Sequence, residues 1–226
     1  MNKNDIYQQL ADRMVHYTDL IKIPLKDNRE KLVPIAKTAH LSAKQIDTET
    51  LQLYDQPVFV RESVAQRLSF ASEELAKVSN KLSLEVVYGH RSLHIQKELF
   101  EKYRRIYSKK YQGVELLEVV HRNIAVPDVA GHPAGAAVDI QILKDGKPIN
   151  MGTHIWEFVP DSYTFSPFIS KQACNNRRLL RDVMKQVGFA PYDGEWWHFS
   201  YGDKEWAKYY KKPHAIFGQL NSRTTR

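Results

Sequence analysis

The stretch GHPAGAAVDIQIL, residues 131–143, joins a loop of small residues to a predicted strand. The apolar residues of the strand recur at every second position: Val138, Ile140 and Ile142. This period predicts one apolar face, and it places Asp139 on the opposite face. An aspartate in such a strand either faces solvent or pairs with a group that offsets its desolvation. Seven residues earlier, His132 lies among glycines and alanines, which suit a crowded site and a tight structural loop equally well. The stretch therefore predicts a core strand beside a candidate functional loop.

Working outward, the chain alternates helix and strand. The predicted order begins with a helix over 64–80, a strand over 82–89 and a helix over 93–107 capped by Ser92. The strand over 137–143 follows, then a helix capped by Asn175 or Asn176 and closed by Gly188, and a last strand from about Trp196. Two stretches before residue 61, VPIAKTAH and TLQLYDQPVFV, could carry short strands. Because turns and irregular loops join most strands, this order predicts a compact α+β domain with a small antiparallel sheet and helices on one side.

Three segments are expected along the chain. Residues 1–57 form an N-terminal segment packed on the main domain, residues 58–210 form that domain, and residues 211–226 form a tail. The whole chain of 226 residues is long enough for one sizeable core.

Composition excludes several classes of protein. The chain carries 33 basic and 26 acidic residues, a net charge of +7, but the charges are spread out, so we expect no nucleic-acid partner. The single cysteine, Cys174, excludes an internal disulfide and a cysteine-rich zinc site. We expect no membrane partner and a cytoplasmic location, because no apolar run has the length of a signal peptide or a bilayer span.

The stretch GEWWHF, residues 194–199, places Glu195 three positions before His198, with two tryptophans between them. If this stretch is a strand, Trp197 faces away from His198 and anchors it in the core. Trp196 then lies on the His198 side and walls a site from which water is excluded.

His132, Asp139 and His198 offer two imidazoles and one carboxylate, a set that zinc accepts in catalytic sites with a fourth position kept for water. Glu195 fits a general base, and Arg91, just past the strand 82–89, fits a cation that stabilises an oxyanion. The spacing alone supports structural roles for these residues equally well. Other histidines could also be ligands instead: His90, His94, His121 and His154.

Two of these elements resemble a known family. HPAGAAVD and EWWHF are similar to the His-x-x-Gly-x-Ala-x-Asp and Glu-x-x-His elements of the zinc D-alanyl-D-alanine peptidases. Further stretches resemble the VanX-like D-Ala-D-Ala dipeptidase branch in the same order: VRESVAQRL, YGHRSLHIQKELF, NMGT and NRRLLRDVMKQVGFAPYDGEWWHF. The resemblance covers roughly residues 58–202.

The resemblance implies a function and a role for each residue. His132, Asp139 and His198 would bind one zinc ion. Glu195 would activate water and pass its proton to the leaving amine, and Arg91 would stabilise the tetrahedral intermediate. The implied substrate is a small peptide, D-Ala-D-Ala or a related short D-amino-acid peptide, and the implied fold is a compact α+β domain.

The chain departs from the branch at positions that help to hold the amino end of the substrate. Ala130 replaces a serine, and Trp156 occupies the place of an aspartate, for which Glu157 could substitute. Two alternatives to a dipeptidase therefore stay open. One is a D,D-carboxypeptidase that acts on longer peptidoglycan peptides, and the other is a zinc-stabilised protein that binds cell-wall peptides without cleaving them.

Overall fold

The computed structural model of the protein describes residues 2–46, 53–54 and 56–220. Its α-helices are α1 (Lys3–Ala11), α2 (Tyr17–Leu20), α3 (Glu62–Val78), α4 (Leu93–Tyr107), α5 (Gly113–His121), α6 (Lys171–Gln186) and α7 (Lys204–Tyr209). Its strands are β1 (Leu32–Pro34), β2 (Leu41–Ala43), β3 (Gln45–Ile46), β4 (Leu53–Tyr54), β5 (Phe59–Arg61), β6 (Leu82–Tyr88), β7 (Ala137–Lys144), β8 (Lys147–Pro148), β9 (Ala190–Pro191) and β10 (His198–Ser200). Within these residues, no helix has the length and apolar character needed to cross a bilayer.

The α+β class and the small sheet are confirmed. The main sheet has the order β2-β6-β7-β10-β9, and β8 pairs with the last residues of β7, Leu143 and Lys144. All of its pairs are antiparallel except that of the short strand β2 with β6, which is parallel. Two short pairs, β1 with β5 and β3 with β4, stand apart from it.

The core lies on one face of this sheet. Val138, Ile140 and Ile142 of β7 are fully buried there, as the alternation predicts. Helices α3 and α6 cover this face with buried aliphatic residues, among them Val64, Leu68, Leu75, Leu180 and Met184. Helices α4 and α5 pack against each other in a second apolar cluster with Leu20. The opposite face of β7 is left for Asp139 and its neighbours.

Several predicted boundaries hold and others move. Helix α4 begins after Ser92, whose hydroxyl accepts the Ile95 N–H, as expected. Helix α6 begins five or six residues earlier than predicted, because Ser170 caps it in place of Asn175 or Asn176, and its side chain accepts the Ala173 N–H. The last strand begins at His198 and not at Trp196, since the chain is still turning through both tryptophans.

The N-terminal segment contacts the rest of the chain at several points. The Tyr7 hydroxyl of α1 donates to Asp161, and a bridge pairs Leu25 with Ala215. Arg61, at the end of β5, donates to the Glu30 carbonyl of the segment. The division into a segment, a main domain and a tail stays a prediction. Part of the predicted strand region, residues 47–52 and 55, lies outside the described residues.

Gly135 ends the short 3₁₀ turn that carries His132, and it needs a left-handed backbone with φ of 68°. A Cβ at this position would lie 2.5 Å from Leu32 Cδ2. Gly135→Ala is therefore expected to lower the free energy of unfolding by about 1–3 kcal/mol, through left-handed strain and crowding. Urea denaturation measures this loss, and Gly146→Ala is the matched control because its φ is 76° and its Cβ meets nothing within 4 Å. Equal losses in both variants would show that crowding at Gly135 contributes nothing.

Candidate active site

Three different elements bring His132, Asp139 and His198 together. Asp139 and His198 are directly opposite each other in the antiparallel pair of β7 and β10. His132 lies in the 3₁₀ turn His132–Ala134, just before β7, and the small residues around it are all buried. The sheet register therefore supplies two of the three predicted ligands, and the loop of small residues folds the third back onto them.

The polar atoms of the three side chains converge. Asp139 Oδ1 lies 3.1 Å from His198 Nδ1 and 3.5 Å from His132 Nε2. Each of the three residues offers one potential ligand atom, and these three atoms lie within 4.8 Å of one another. Burial alone would raise the pKa of Asp139, but the charges and hydrogen bonds of the two histidines outweigh it and hold that pKa well below its usual range. Asp139 is therefore a carboxylate, with the charge that a cation needs.

The geometry fits a divalent metal ion. Two nitrogens and one carboxylate oxygen match the donor types of catalytic zinc sites. Ligand atoms at the usual bond lengths around a tetrahedral zinc lie about 3.3 Å apart, close to the two separations seen here. The site therefore has the donor set and the spacing of a metal site.

The second polar atoms of His132 and Asp139 are also held. His132 Nδ1 lies 2.8 Å from the Gly89 carbonyl oxygen, which assigns the proton to Nδ1 and leaves Nε2 free to face the group. Asp139 Oδ2 accepts a hydrogen bond of 2.8 Å from Trp156 Nε1. Such outer contacts fix the orientation of metal ligands. Trp156, which the sequence marked only as the replacement of an aspartate, thus contacts Asp139 directly.

Glu195 lies beside the group but is not part of it. Its Oε2 is 4.0 Å from His198 Nδ1, and its side chain is 16% exposed. Burial raises the pKa of Glu195 to about 8, and the Asp139 and Glu205 carboxylates add to this against the lowering effect of His198. A carboxyl group whose pKa is raised toward neutrality suits proton transfer.

Arg91 also faces this region and is held by two partners. Its Nε donates to the Tyr88 hydroxyl at 3.1 Å, and its Nη1 donates to Gln96 Oε1 at 2.8 Å. Gln96 in turn donates to the Ala125 carbonyl, which fixes the amide. Tyr88 and Gln96 therefore orient the guanidinium, and neither was identified from the sequence because each belongs to an ordinary strand or helix pattern.

All five predicted site residues line one cavity of about 230 Å³. Ala130 and Trp156 line it as well. The predicted role of Trp196 is wrong: Trp197 lines the cavity, whereas the Trp196 indole donates to Thr153 Oγ1 away from it. The alternation argument failed because the two tryptophans lie in a turn, where the His198 N–H donates to the Glu195 carbonyl.

Glu157 does not approach the cavity. Its carboxylate accepts the backbone N–H of His154 at 3.0 Å, within the same exposed loop. None of the alternative histidines, His90, His94, His121 and His154, belongs to the converging group, although His121 lines the cavity. His94 is exposed beside Glu98, and burial lowers the pKa of His90 and of His121 to about 4.

Comparison with known proteins identifies the family. The Peptidase_M15 family, described as D-ala-D-ala dipeptidase, matches residues 58–218. The chain belongs to this family. The predicted resemblance is thereby confirmed, and the matched residues include every residue predicted for the site. The family is one of peptidases, so the chain is a member of an enzyme family.

Sequence relatives agree with this assignment. A D-alanyl-D-alanine dipeptidase from Synechocystis sp. is 29% identical over 229 residues, which cover 86% of this chain and 91% of that protein. A D-alanyl-D-alanine dipeptidase from Enterococcus faecalis is 29% identical over 105 residues, 45% of this chain and 51% of that protein. Among solved structures, the LdcB LD-carboxypeptidase has a TM-score of 0.47 at 20% identity, covering 82% of this chain and 75% of that one. The D,D-dipeptidase VanXYg, in complex with a D-Ala-D-Ala phosphinate analog, has a TM-score of 0.40 at 19% identity, covering 83% and 65%.

Proposed function

We propose that this protein hydrolyses D-Ala-D-Ala, or a closely related short D-amino-acid peptide, with one zinc ion held by His132, Asp139 and His198. The observation that carries the proposal is the convergence of His132 Nε2, Asp139 Oδ1 and His198 Nδ1 beside the Glu195 carboxylate. Membership of the D-ala-D-ala dipeptidase family supports the substrate class. The proposed place of action is the cytoplasm.

Each residue has a task in this reaction. When bound, zinc would polarise the scissile carbonyl and acidify a water molecule. Glu195 accepts the proton of the attacking water and delivers it to the leaving amine as the peptide bond breaks. Arg91 donates hydrogen bonds to the oxygen that gains negative charge, and its contacts with Tyr88 and Gln96 hold it in place for this.

The first test is alanine release from D-Ala-D-Ala by the purified protein, with zinc measured on the same sample. Release that requires zinc and stops after chelation supports the proposal. N-acylated D-Ala-D-Ala and a longer muropeptide are the comparison substrates, because Trp156 and Ala130 offer no charged group to an amino end. Turnover of the blocked peptides alone would favour a D,D-carboxypeptidase, and zinc binding without any turnover would favour a binding protein.

Trp156→Phe is expected to weaken zinc binding by about 10-fold, since loss of an outer hydrogen bond to a ligand costs roughly 10- to 100-fold in metal affinity or activity. The change removes the bond from Trp156 Nε1 to Asp139 Oδ2 and keeps an aromatic ring against Tyr88. Competition with a chromogenic chelator measures the affinity. Phe158→Leu serves as the control, because Phe158 also lines the cavity but contacts Trp197 and no ligand. Unchanged affinity in Trp156→Phe would show that this bond does not orient Asp139.

The rate is expected to rise with pH as Glu195 loses its proton, because only the carboxylate accepts a proton from water. Burial raises the pKa of Glu195 to about 8, and the positive charge of a bound cation lowers it. On the acid side, kcat/KM should therefore rise with a midpoint below pH 8, and the curve should fit the loss of a single proton. A profile that stays flat from about pH 5 to 8, at constant zinc content, would contradict Glu195 as the base.

A further inference from the structure

A second carboxylate, besides Glu195, lies against His198. Glu205 Oε2 is 3.7 Å from His198 Nε2, and the two side chains are only 14% and 12% exposed. The other ring nitrogen, Nδ1, faces Asp139 Oδ1 at 3.1 Å. The two edges of this imidazole therefore have different neighbours. Nδ1 belongs to the converging group, and Nε2 points toward Glu205.

The chain holds Glu205 in this place through a tight connection from β10 to α7. Asp203 caps α7, and its Oδ1 accepts both the Trp206 N–H and the Ser200 hydroxyl. Because Ser200 is in the same strand as His198, one carboxylate ties the start of the helix to that strand. Trp206 and Ala207 form the buried face of α7, and their packing fixes the rotation of the helix about its axis. Glu205, in the first turn of α7, is thereby directed to the cavity.

His132 shows the same arrangement with a different acceptor. Its Nε2 faces Asp139, and its outward nitrogen, Nδ1, lies 2.8 Å from the Gly89 carbonyl oxygen. Histidine ligands generally donate their second ring N–H to a carbonyl or carboxylate, which fixes the tautomer and makes the ligand more basic. His198 needs an acceptor of this kind at Nε2, and Glu205 is the carboxylate that faces it.

We propose that Glu205 is a positioning residue for His198, whose Nε2–H it accepts so that the lone pair of Nδ1 faces the metal. This inference rests on the proposed metal site. The present 3.7 Å is longer than the roughly 2.9 Å of an N–H···O bond, and a shift of less than one ångström in the Glu205 side chain closes it.

The test compares zinc affinity in three variants by chelator competition at constant pH. Glu205→Ala removes the acceptor and is expected to weaken zinc binding by about 10- to 100-fold. Glu205→Gln keeps an acceptor oxygen without its charge, so its affinity should lie between that of Glu205→Ala and the unchanged protein. Glu98→Ala is the matched control, since Glu98 lies 3.3 Å from Nε2 of His94, an exposed histidine outside the site. Its affinity should not change.

A second readout follows the proton itself. In the zinc-loaded protein labelled with ¹⁵N at histidine, the His198 Nε2–H should give a slowly exchanging signal. This signal should be lost or exchange rapidly in Glu205→Ala. Thermal unfolding of the metal-free variants checks that they fold.

The outcomes separate this inference from the proposed function. If the unchanged protein binds no zinc, the metal site itself is wrong. If it binds zinc and both Glu205 variants bind equally tightly, the positioning role is overturned. A rise in KM for D-Ala-D-Ala without any change in zinc affinity would also overturn it, because Glu205 would then contact the substrate and not act through His198.

Discussion

Glu195→Gln is expected to lower kcat for D-Ala-D-Ala by about 10²- to 10⁴-fold, the usual contribution of a general acid–base residue. The amide has nearly the shape of the carboxyl group but cannot accept a proton from water. Zinc content should not fall, because Glu195 is not among the three converging residues. KM should change little, since the loss falls on the chemical step. Steady-state kinetics with a zinc assay on each preparation measures both.

Glu157→Gln is the matched control for this experiment. Its carboxylate binds a backbone N–H within the same exposed loop, so the change should leave kcat and KM within about twofold of the original values. The pair also tests the sequence-based expectation that Glu157 substitutes for a missing aspartate. A Glu195→Gln enzyme that retains zinc and most of its activity would refute the proposed base. A strongly raised KM in Glu157→Gln would instead show that Glu157 contributes to substrate binding.

Capping residues and apolar periodicity predicted the helices whose ends are set by contacts close in sequence. Helix α4 has the predicted bounds because a serine cap and an apolar period agree. Its burial does not follow residue type, because Ile95 and Ile106 are exposed whereas Gln96, which holds Arg91, is buried. Helix α5 was missed entirely, because GVELLEVVH is short and rich in β-branched residues, and its stability comes from packing on α4.

The candidate site was predictable to the extent that its residues form recognisable local spacings. His132 with Asp139, and Glu195 with His198, stand in such spacings, and the sheet register then brings the two groups together. Glu205 has no comparable signal, because its position depends on how Asp203 docks helix α7 onto β10. Contacts of this kind depend on tertiary packing, and a periodicity or a motif does not encode them.

Arg61→Met is expected to lower the free energy of unfolding by about 3–5 kcal/mol, because it leaves several buried acceptors without a donor. Arg61 is 1% exposed, and its guanidinium donates to carbonyls in three distant parts of the chain. These are Ala134 in the His132 turn at 2.8 Å, Gly218 near the C-terminal end at 2.9 Å, and Glu30 in the N-terminal segment. Methionine fills much of the space but leaves these buried acceptors without a donor, at a cost of about 1–3 kcal/mol each before relaxation.

The measurement is urea denaturation of the metal-free proteins, because bound zinc would add its own stabilisation to the folded state. Arg104→Met is the control: Arg104 pairs with Glu101 on the exposed surface of α4, so its loss should change stability by no more than about 0.5 kcal/mol. Zinc affinity should also fall in Arg61→Met, since the Ala134 carbonyl belongs to the turn that orients His132. A variant that loses stability but binds zinc as tightly as before would show that the turn keeps its shape without Arg61. The N-terminal segment would then contribute to the stability of the domain and not to the geometry of the site.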